Sequence, residues 1–281
     1  MAIRNIVLML AHASCVTSRD HGESYLWRRQ MVTGAASLTM TLTVPGLITK
    51  RDHIVRTEPL KPYLASKAIW CTVRLADPLI AASLVRRHRH RKHERPSTRS
   101  RVLIAMAGVS GVRHSLWALH TLKKPWPLWI SLPVSVGNTF INWLHVRAAL
   151  EREDERPDGD TEPLGAVAAL GILCFVVGSY LETASELQRL AFKANPANAG
   201  QLCTVGLWRG AAHINYFGYA LWRTGIGMVS APPWSVAYGI AHLVDFRLRG
   251  VPLLRRHMRA RYGSAWDEYA AQTAVLVPGV L

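Results

Sequence analysis

Between Leu164 and Leu181 the chain runs for 18 residues without a formal charge. As a helix rising about 1.5 Å per residue, that run is about 27 Å long, close to the ~30 Å thickness of a bilayer's hydrocarbon core. Backbone amides left unpaired in hydrocarbon are costly, so such a run crosses as a helix. Pro125 to Val146 gives a second run of 22 uncharged residues. Trp126 and Trp129 lie near one end of it and Trp143 near the other, as an interfacial aromatic belt would require. The expected fold is an all-α, polytopic transmembrane helical bundle of about five to seven membrane helices, with a cytoplasmic C-terminal helix.

Composition alone says less. The 281 residues are 49% hydrophobic, and the mean hydropathy is only +0.09. The distribution is what matters, because charges are clumped and the windows between the clumps are nearly charge-free. Residues 1–30 read as a polar or interfacial lead-in, since the apolar run Ile6 to Leu10 is too short for a signal peptide. Residues 31–147 read as N-terminal membrane helices, beginning with the uncharged stretch Met31 to Thr49. Leu64 to Val85 carries Lys67, Arg74 and Asp77. Arg74 and Asp77 sit at i,i+3 and can pair on one helix face. That segment reads equally as an interfacial helix or as a bundle helix with a polar inner face. Residues 86–101 form a dense basic loop, and residues 148–163 an acidic one. Residues 164–281 form a C-terminal membrane domain, in which 211–246 is a hairpin of short helices broken at Pro232-Pro233.

The formal charge of +16 suits either nucleic acid or an anionic membrane surface. The basic residues flank apolar windows, so the lipid bilayer is the expected partner and nucleic acid is not. If residues 86–101 and Arg247 to Arg261 are both cytoplasmic, the acidic loop lies on the opposite side. Val102 to His120 then does not fully cross. The expected location is a multi-pass integral membrane, the endoplasmic reticulum membrane in a eukaryote. Cys15, Cys71, Cys174 and Cys203 show neither disulfide nor zinc spacing, and no metal site is expected. Nothing in the sequence sets an oligomeric state.

Polar groups concentrate just after the 164–181 run. Glu182 and Glu186 share a helix face, where they can pair with bases or orient a ribose or base amide. Gln188 follows, and Lys193 and Arg209 offer positive charge, Arg gripping phosphate in a bidentate way. His213, Asn215 and Tyr216 fall within one helical turn and suit an anionic or carbonyl-bearing ligand. His213, Tyr216 and Tyr219 are candidate proton donors. Gly-x-Gly-x-x-Gly, P-loop and Gly-x-Ser-x-Gly patterns are missing, which argues against the common nucleotide cradles and serine hydrolases.

The order of these pieces is Glu182-Thr183-Ala184-Ser185-Glu186-Leu187-Gln188, Phe192-Lys193, Gly206-Leu207-Trp208 and His213-Ile214-Asn215-Tyr216-Phe217-Gly218. It resembles the C-terminal region of the steroid 5-alpha-reductase superfamily, over Leu164 to Pro278. The resemblance implies that Glu186, Gln188 and Lys193 form a nucleotide-binding face. Trp208, His213, Asn215 and Tyr216 would line a cofactor pocket, closed from the tail by Tyr262, Tyr269 and Thr273. The implied cofactor is NADPH, and the implied reaction is hydride reduction of a conjugated carbon–carbon double bond in a membrane lipid. The family's Arg-His-Pro is here Ala212-His213-Ile214, and two of its carboxylates fall at Tyr219 and Arg255. Isoprenylcysteine and phospholipid methyltransferases share part of this pattern and use S-adenosylmethionine. They typically carry a late Glu-Glu pair, where this chain has Arg255-Arg256. A third reading is a non-catalytic relative that binds lipid.

Overall fold

The computed structural model describes residues 63–122, 126–155, 164–230 and 232–280. The expected segments 1–30 and 31–49 lie outside them. Every regular element among the described residues is helical. Helix α1 is Leu64–Lys92, and α2 is Thr98–Leu116 extended by a π-helical turn, Trp117–Thr121. Helix α3 is Leu128–Asp154 and α4 is Ala166–Ala194. Helices α5 (Ile214–Ser230) and α6 (Pro233–Asp245) form the expected hairpin broken at the proline pair. A second π-turn, Phe246–Gly250, leads into α7 (Val251–Tyr262) and then α8 (Ser264–Gln272). Among the described residues, three helices are long and apolar enough to cross a membrane: α1, α2 with its π-turn, and α4.

Several sequence expectations need correcting. The basic stretch 86–101 is mostly helix: α1 continues through Lys92, residues 93–97 make the turn, and α2 starts at Thr98. The N-cap of α2 is Ser97, whose hydroxyl accepts from the Ser100 amide. Val102 to His120 lies inside a 24-residue helix of spanning length, contrary to the expectation that it stops short. The acidic loop is shorter too, because α3 runs on to Asp154. Helix α3 itself is long but not apolar enough to count as a span. Its polar stripe of Ser131, Ser135, Asn142 and His145 is buried against other helices. Trp126 is no belt residue. It is 8% exposed and packs edge-on against Trp70 and Trp117.

The largest correction concerns sidedness. Arg89 bonds to Glu153, Lys92 Nζ lies 2.6 Å from Asp154, and His88 Nε2 lies 3.0 Å from Asp154. The acidic end of α3 therefore meets the basic end of α1, on one side of the bundle. Helix α4 then carries the chain to the other end, where Glu182 to Tyr219 and the two C-terminal helices gather. The two basic stretches stand at opposite ends, which the positive-inside rule did not anticipate.

Helices α4 and α5 meet along a seam of glycines, Gly171 and Gly178 facing Gly218 and Gly225, each pair seven residues apart. A Cβ on Gly178 would stand 2.4 Å from the Trp222 amide nitrogen and 2.6 Å from the Gly218 carbonyl oxygen. Small residues let helix backbones approach this closely in a membrane, where packing drives association. The obstacle is backbone and cannot rotate away. Gly178→Ala is expected to cost about 2 kcal/mol despite alanine's better helix propensity. A lowered melting midpoint in detergent would show it; an unchanged midpoint would mean that the helices are not seated this tightly. Beside the seam, Trp222, Phe175, Ile226, Val229 and Val85 form the main apolar core.

Candidate functional site

The last turns of α4 carry the polar residues that the spacing placed on one face, and most of them tie down the connection that follows. Gln188 Oε1 accepts from the Leu207 amide at 2.9 Å. Gly206 makes that approach possible, with φ +61° and a missing Cβ that would fall 2.5 Å from Gln188 Oε1. Trp208 Nε1 donates to the Ser185 carbonyl at 2.9 Å, and the Tyr269 hydroxyl donates to the Trp208 carbonyl. Lys193 Nζ reaches the Tyr262 hydroxyl at 3.0 Å and the Gln201 carbonyl. Asn215 Nδ2 donates to Glu186 Oε1 at 2.9 Å, while Arg189 pairs with the other oxygen of Glu186. Glu182 lies deeper, paired with Arg113 and accepting from Trp222 Nε1 at 2.7 Å. Arg209 is exposed on its 3₁₀ turn. Residues singled out by spacing or by the family resemblance thus meet in pairs, Glu186 with Asn215, Lys193 with Tyr262, and Trp208 with Tyr269.

His213 occupies a different place. The tail runs beside it, with the Ala212 amide donating to the Ala274 carbonyl at 2.8 Å and the His213 amide to the Val275 carbonyl at 3.1 Å. Its ring stacks on Tyr216 at 5.6 Å, and Tyr216 stacks in turn on Phe246 at 4.3 Å. A small cavity of about 50 Å³ opens beside the ring, lined also by Arg247, Arg255, Trp266 and Thr273. Trp266 is 2% exposed, and its indole N–H has no partner among the described residues. A buried donor of this kind lacks the bond that usually compensates its burial, so it marks room for an acceptor. Glu182, Gln188 and Lys193 do not line this cavity. Arg247 and Trp266 were missed from the sequence, because they come from a π-turn and a nine-residue polar helix without a motif. Arg255 was visible there only as a departure from a pattern.

Burial, and then the neighbouring Arg255 charge, lower the His213 imidazole from its ordinary 6.5 to about 4. At neutral pH it is uncharged and can accept a hydrogen bond. As pH falls below 6.5 the unfolded chain takes up a proton there, whereas the folded chain does so only near 4. The stability tied to neutral His213 is therefore full above pH 6.5 and lost on the way down to 4, on the order of 3 kcal/mol in all. In His213→Gln the fall in melting midpoint over that window should be shallower than in wild type. Parallel curves would show that the ring is not buried in its neutral form.

Burial also raises the Tyr269 hydroxyl, which stays protonated and serves as a donor. Tyr219, standing where the resembling family has a carboxylate, accepts from Arg223 Nη2 at 2.9 Å and Nε at 3.2 Å. Among the described residues no cluster of three His, Cys, Asp or Glu side chains could hold a metal.

Fold and site together define an all-helical membrane domain with a polar site gathered at one end. The chain belongs to the family described as "Protein of unknown function (DUF1295)", whose match covers residues 113–273, more than half of it. That membrane domain is related to the steroid-reductase and polyprenol-reductase clan. The chain is also 29% identical, over 172 residues, to a "Probable O-methyltransferase ustE" of Ustilaginoidea virens, a match covering 58% of this chain. It spans 59% of that relative's length. Similarity to an enzyme supports catalytic activity in general. It overturns the expectation of NADPH, since the relative is named for transferring a methyl group and not a hydride.

Proposed function

We propose that this protein is a membrane methyltransferase that uses S-adenosylmethionine to methylate an oxygen of a membrane-resident acceptor. The similarity to the probable O-methyltransferase carries this reading, and the cavity beside His213 with the groove that adjoins it supports it. When bound, S-adenosylmethionine supplies a methyl group activated by its sulfonium. The residues present fit the cofactor's groups. Arg255 and Arg247 would hold its carboxylate, and the unpartnered Trp266 N–H would meet one of its acceptors. Tyr216 and Phe246 stack behind His213 and line neither cavity, so the positive charge of the sulfonium would meet the imidazole itself. Neutral His213 does not repel that positive charge, and it can accept the hydrogen bond of an acceptor hydroxyl. The 50 Å³ beside His213 is too small for the whole cofactor. It shares Arg247, Val251 and Arg255 with a larger groove of about 530 Å³, which falls in the ~300–1,000 Å³ range of small-molecule sites.

The Glu182–Arg209 end faces the cytoplasm in this reading, because a charged, soluble cofactor must reach it. Residues 164–281 supply the cofactor side of the site, and the helices of 64–147 supply the wall toward the lipid. Glu186, Gln188, Lys193, Trp208, Asn215, Tyr262 and Tyr269 act as the frame that seats the tail over His213.

Purified protein in neutral detergent should bind S-adenosylmethionine in calorimetry and should move a tritiated methyl group from it into a membrane lipid extract. Absence of both sinks the proposal. Sidedness is checked separately with Arg209→Cys in a cysteine-free background. A membrane-impermeant maleimide should label it from the cytoplasmic side, and labelling only from the other side would reverse the orientation.

A further inference from the structure

The larger groove carries more positive charge than the cofactor can answer. It lies between α7 and the start of α8, walled by Arg247, Arg255, Arg256 and Arg259, with Pro252 and a single carboxylate, Asp267. All four arginines are exposed. Asp267 is engaged by Arg259, whose Nε lies 3.1 Å away. Arg247, Arg255 and Arg256 make no ion pair with another described residue.

Helix α7 explains how they converge. Leu253, Leu254 and Met258 are half-buried on one side of it, which turns Arg255, Arg256 and Arg259 outward. Arg255 and Arg259 are one turn apart, a spacing at which like charges repel. A solvated basic run would let these charges spread. The positive-inside rule accounts for arginines at a membrane end, but not for their lining one concave wall beside a single acid. S-adenosylmethionine brings one carboxylate together with a sulfonium and an ammonium, so it leaves the surplus in place. A phosphate group answers it, with oxygens that guanidinium forks grip in pairs. Leu248, adjacent in the chain to Arg247 and 61% exposed, adds an apolar surface at the same end.

We infer that this groove is a binding site for a phosphate group, presented by a lipid headgroup or by a soluble phosphate ester. The phosphate is gripped by Arg256 and Arg259, with Arg247 and Arg255 adding positive charge from the shared wall, and its binding is weakened by Asp267. The inference needs no cofactor and stands whether or not methyl transfer occurs.

The test titrates wild-type protein, in nonionic detergent and without cofactor, with three probes. They are a short-chain phosphatidic acid, the diacylglycerol of the same chains, and inorganic phosphate. The phosphate-bearing probes should bind, and binding should weaken as salt rises. The double variant Arg256→Gln/Arg259→Gln should lose about 100-fold in affinity. Asp267→Asn should gain affinity, a change that a misfolded protein cannot mimic. Phosphatidic acid binding far more tightly than inorganic phosphate identifies a lipid headgroup, and comparable affinities identify a soluble phosphate. Phosphatidic acid and inorganic phosphate both binding no better than diacylglycerol, or an arginine double variant that binds like wild type, would overturn the inference.

Discussion

Asp77→Ala should destabilise the detergent-solubilised protein by about 3–5 kcal/mol, the cost of leaving one member of a buried ion pair alone. Arg74 and Asp77 are 0% and 1% exposed, in the middle of α1. They pair directly. Asn142 Nδ2 donates to Asp77 Oδ2 at 2.8 Å, and Thr139 donates to the other oxygen. Arg74 also reaches His114 Nδ1 at 3.3 Å. Removing the carboxylate strands a guanidinium where neither water nor another acid reaches it, and orphans two donors on α3. The double variant Arg74→Met/Asp77→Leu should recover part of the loss, because two apolar side chains have no charge to desolvate, while the Thr139 and Asn142 donors stay unpaired. Salt should change neither result, since both groups lie far from the ions that screen surface pairs. Melting midpoints of the three proteins decide it. A single variant as stable as wild type would mean that water or lipid headgroups reach the pair.

Part of this core was legible in the sequence. Arg74 and Asp77 at i,i+3 announced a pair, and Asn138 and Asn142, one turn apart in a charge-free run, suit either helix–helix hydrogen bonds or a ligand contact. Asn142 makes its bond to Asp77, and Asn138 makes one to Arg223. The helical hairpin around Pro232-Pro233 was equally plain, because proline cannot continue a helix. What spacing could not show is which helix ends share a side. The contact between Arg89 and Glu153 joins residues 64 positions apart, and no local pattern records it. Both ends of the bundle are basic, so a rule that ranks loops by Lys and Arg had two equal answers. The acidic end of α3 is where the ranking failed, because its charge is absorbed by α1 and does not mark the far side.

The site divides in the same way. Gln188, Asn215 and Tyr216 stood out because they follow in order along one stretch of chain. The cavity beside His213 did not, because its walls come from the π-turn at 246–250 and from α7 and α8, brought in by the tail bonds at Ala274 and Val275. Arg255 reads differently in the sequence and in the structure. As a missing carboxylate it spoke against S-adenosylmethionine. In the structure its positive charge faces His213, where a ligand carboxylate would be welcome.

That placement makes Arg255→Gln the sharpest test of how the site works. Arg255 is exposed and makes no ion pair with another described residue, so its loss should leave stability within about 0.5 kcal/mol of wild type. A charged hydrogen bond to the cofactor's carboxylate is worth about 1.5–3 kcal/mol, so affinity for S-adenosylmethionine should fall roughly 10- to 100-fold. The same substitution removes the positive charge that, after burial, holds His213 down. Burial, the larger cause, remains, so the His213 pKa should rise only part of the way from about 4 toward its ordinary 6.5, moving the acid limb of the pH–rate profile to higher pH. The two effects have separate origins, one in ligand contact and one in the field at the imidazole. Arg255→Lys keeps the charge but loses the fork, so it should restore the acid limb while recovering only part of the affinity. If Arg255→Gln lowers affinity and leaves the acid limb where it was, Arg255 touches the ligand but His213 does not titrate in the reaction. If it changes neither, the methyl-transfer site lies elsewhere on this end of the bundle.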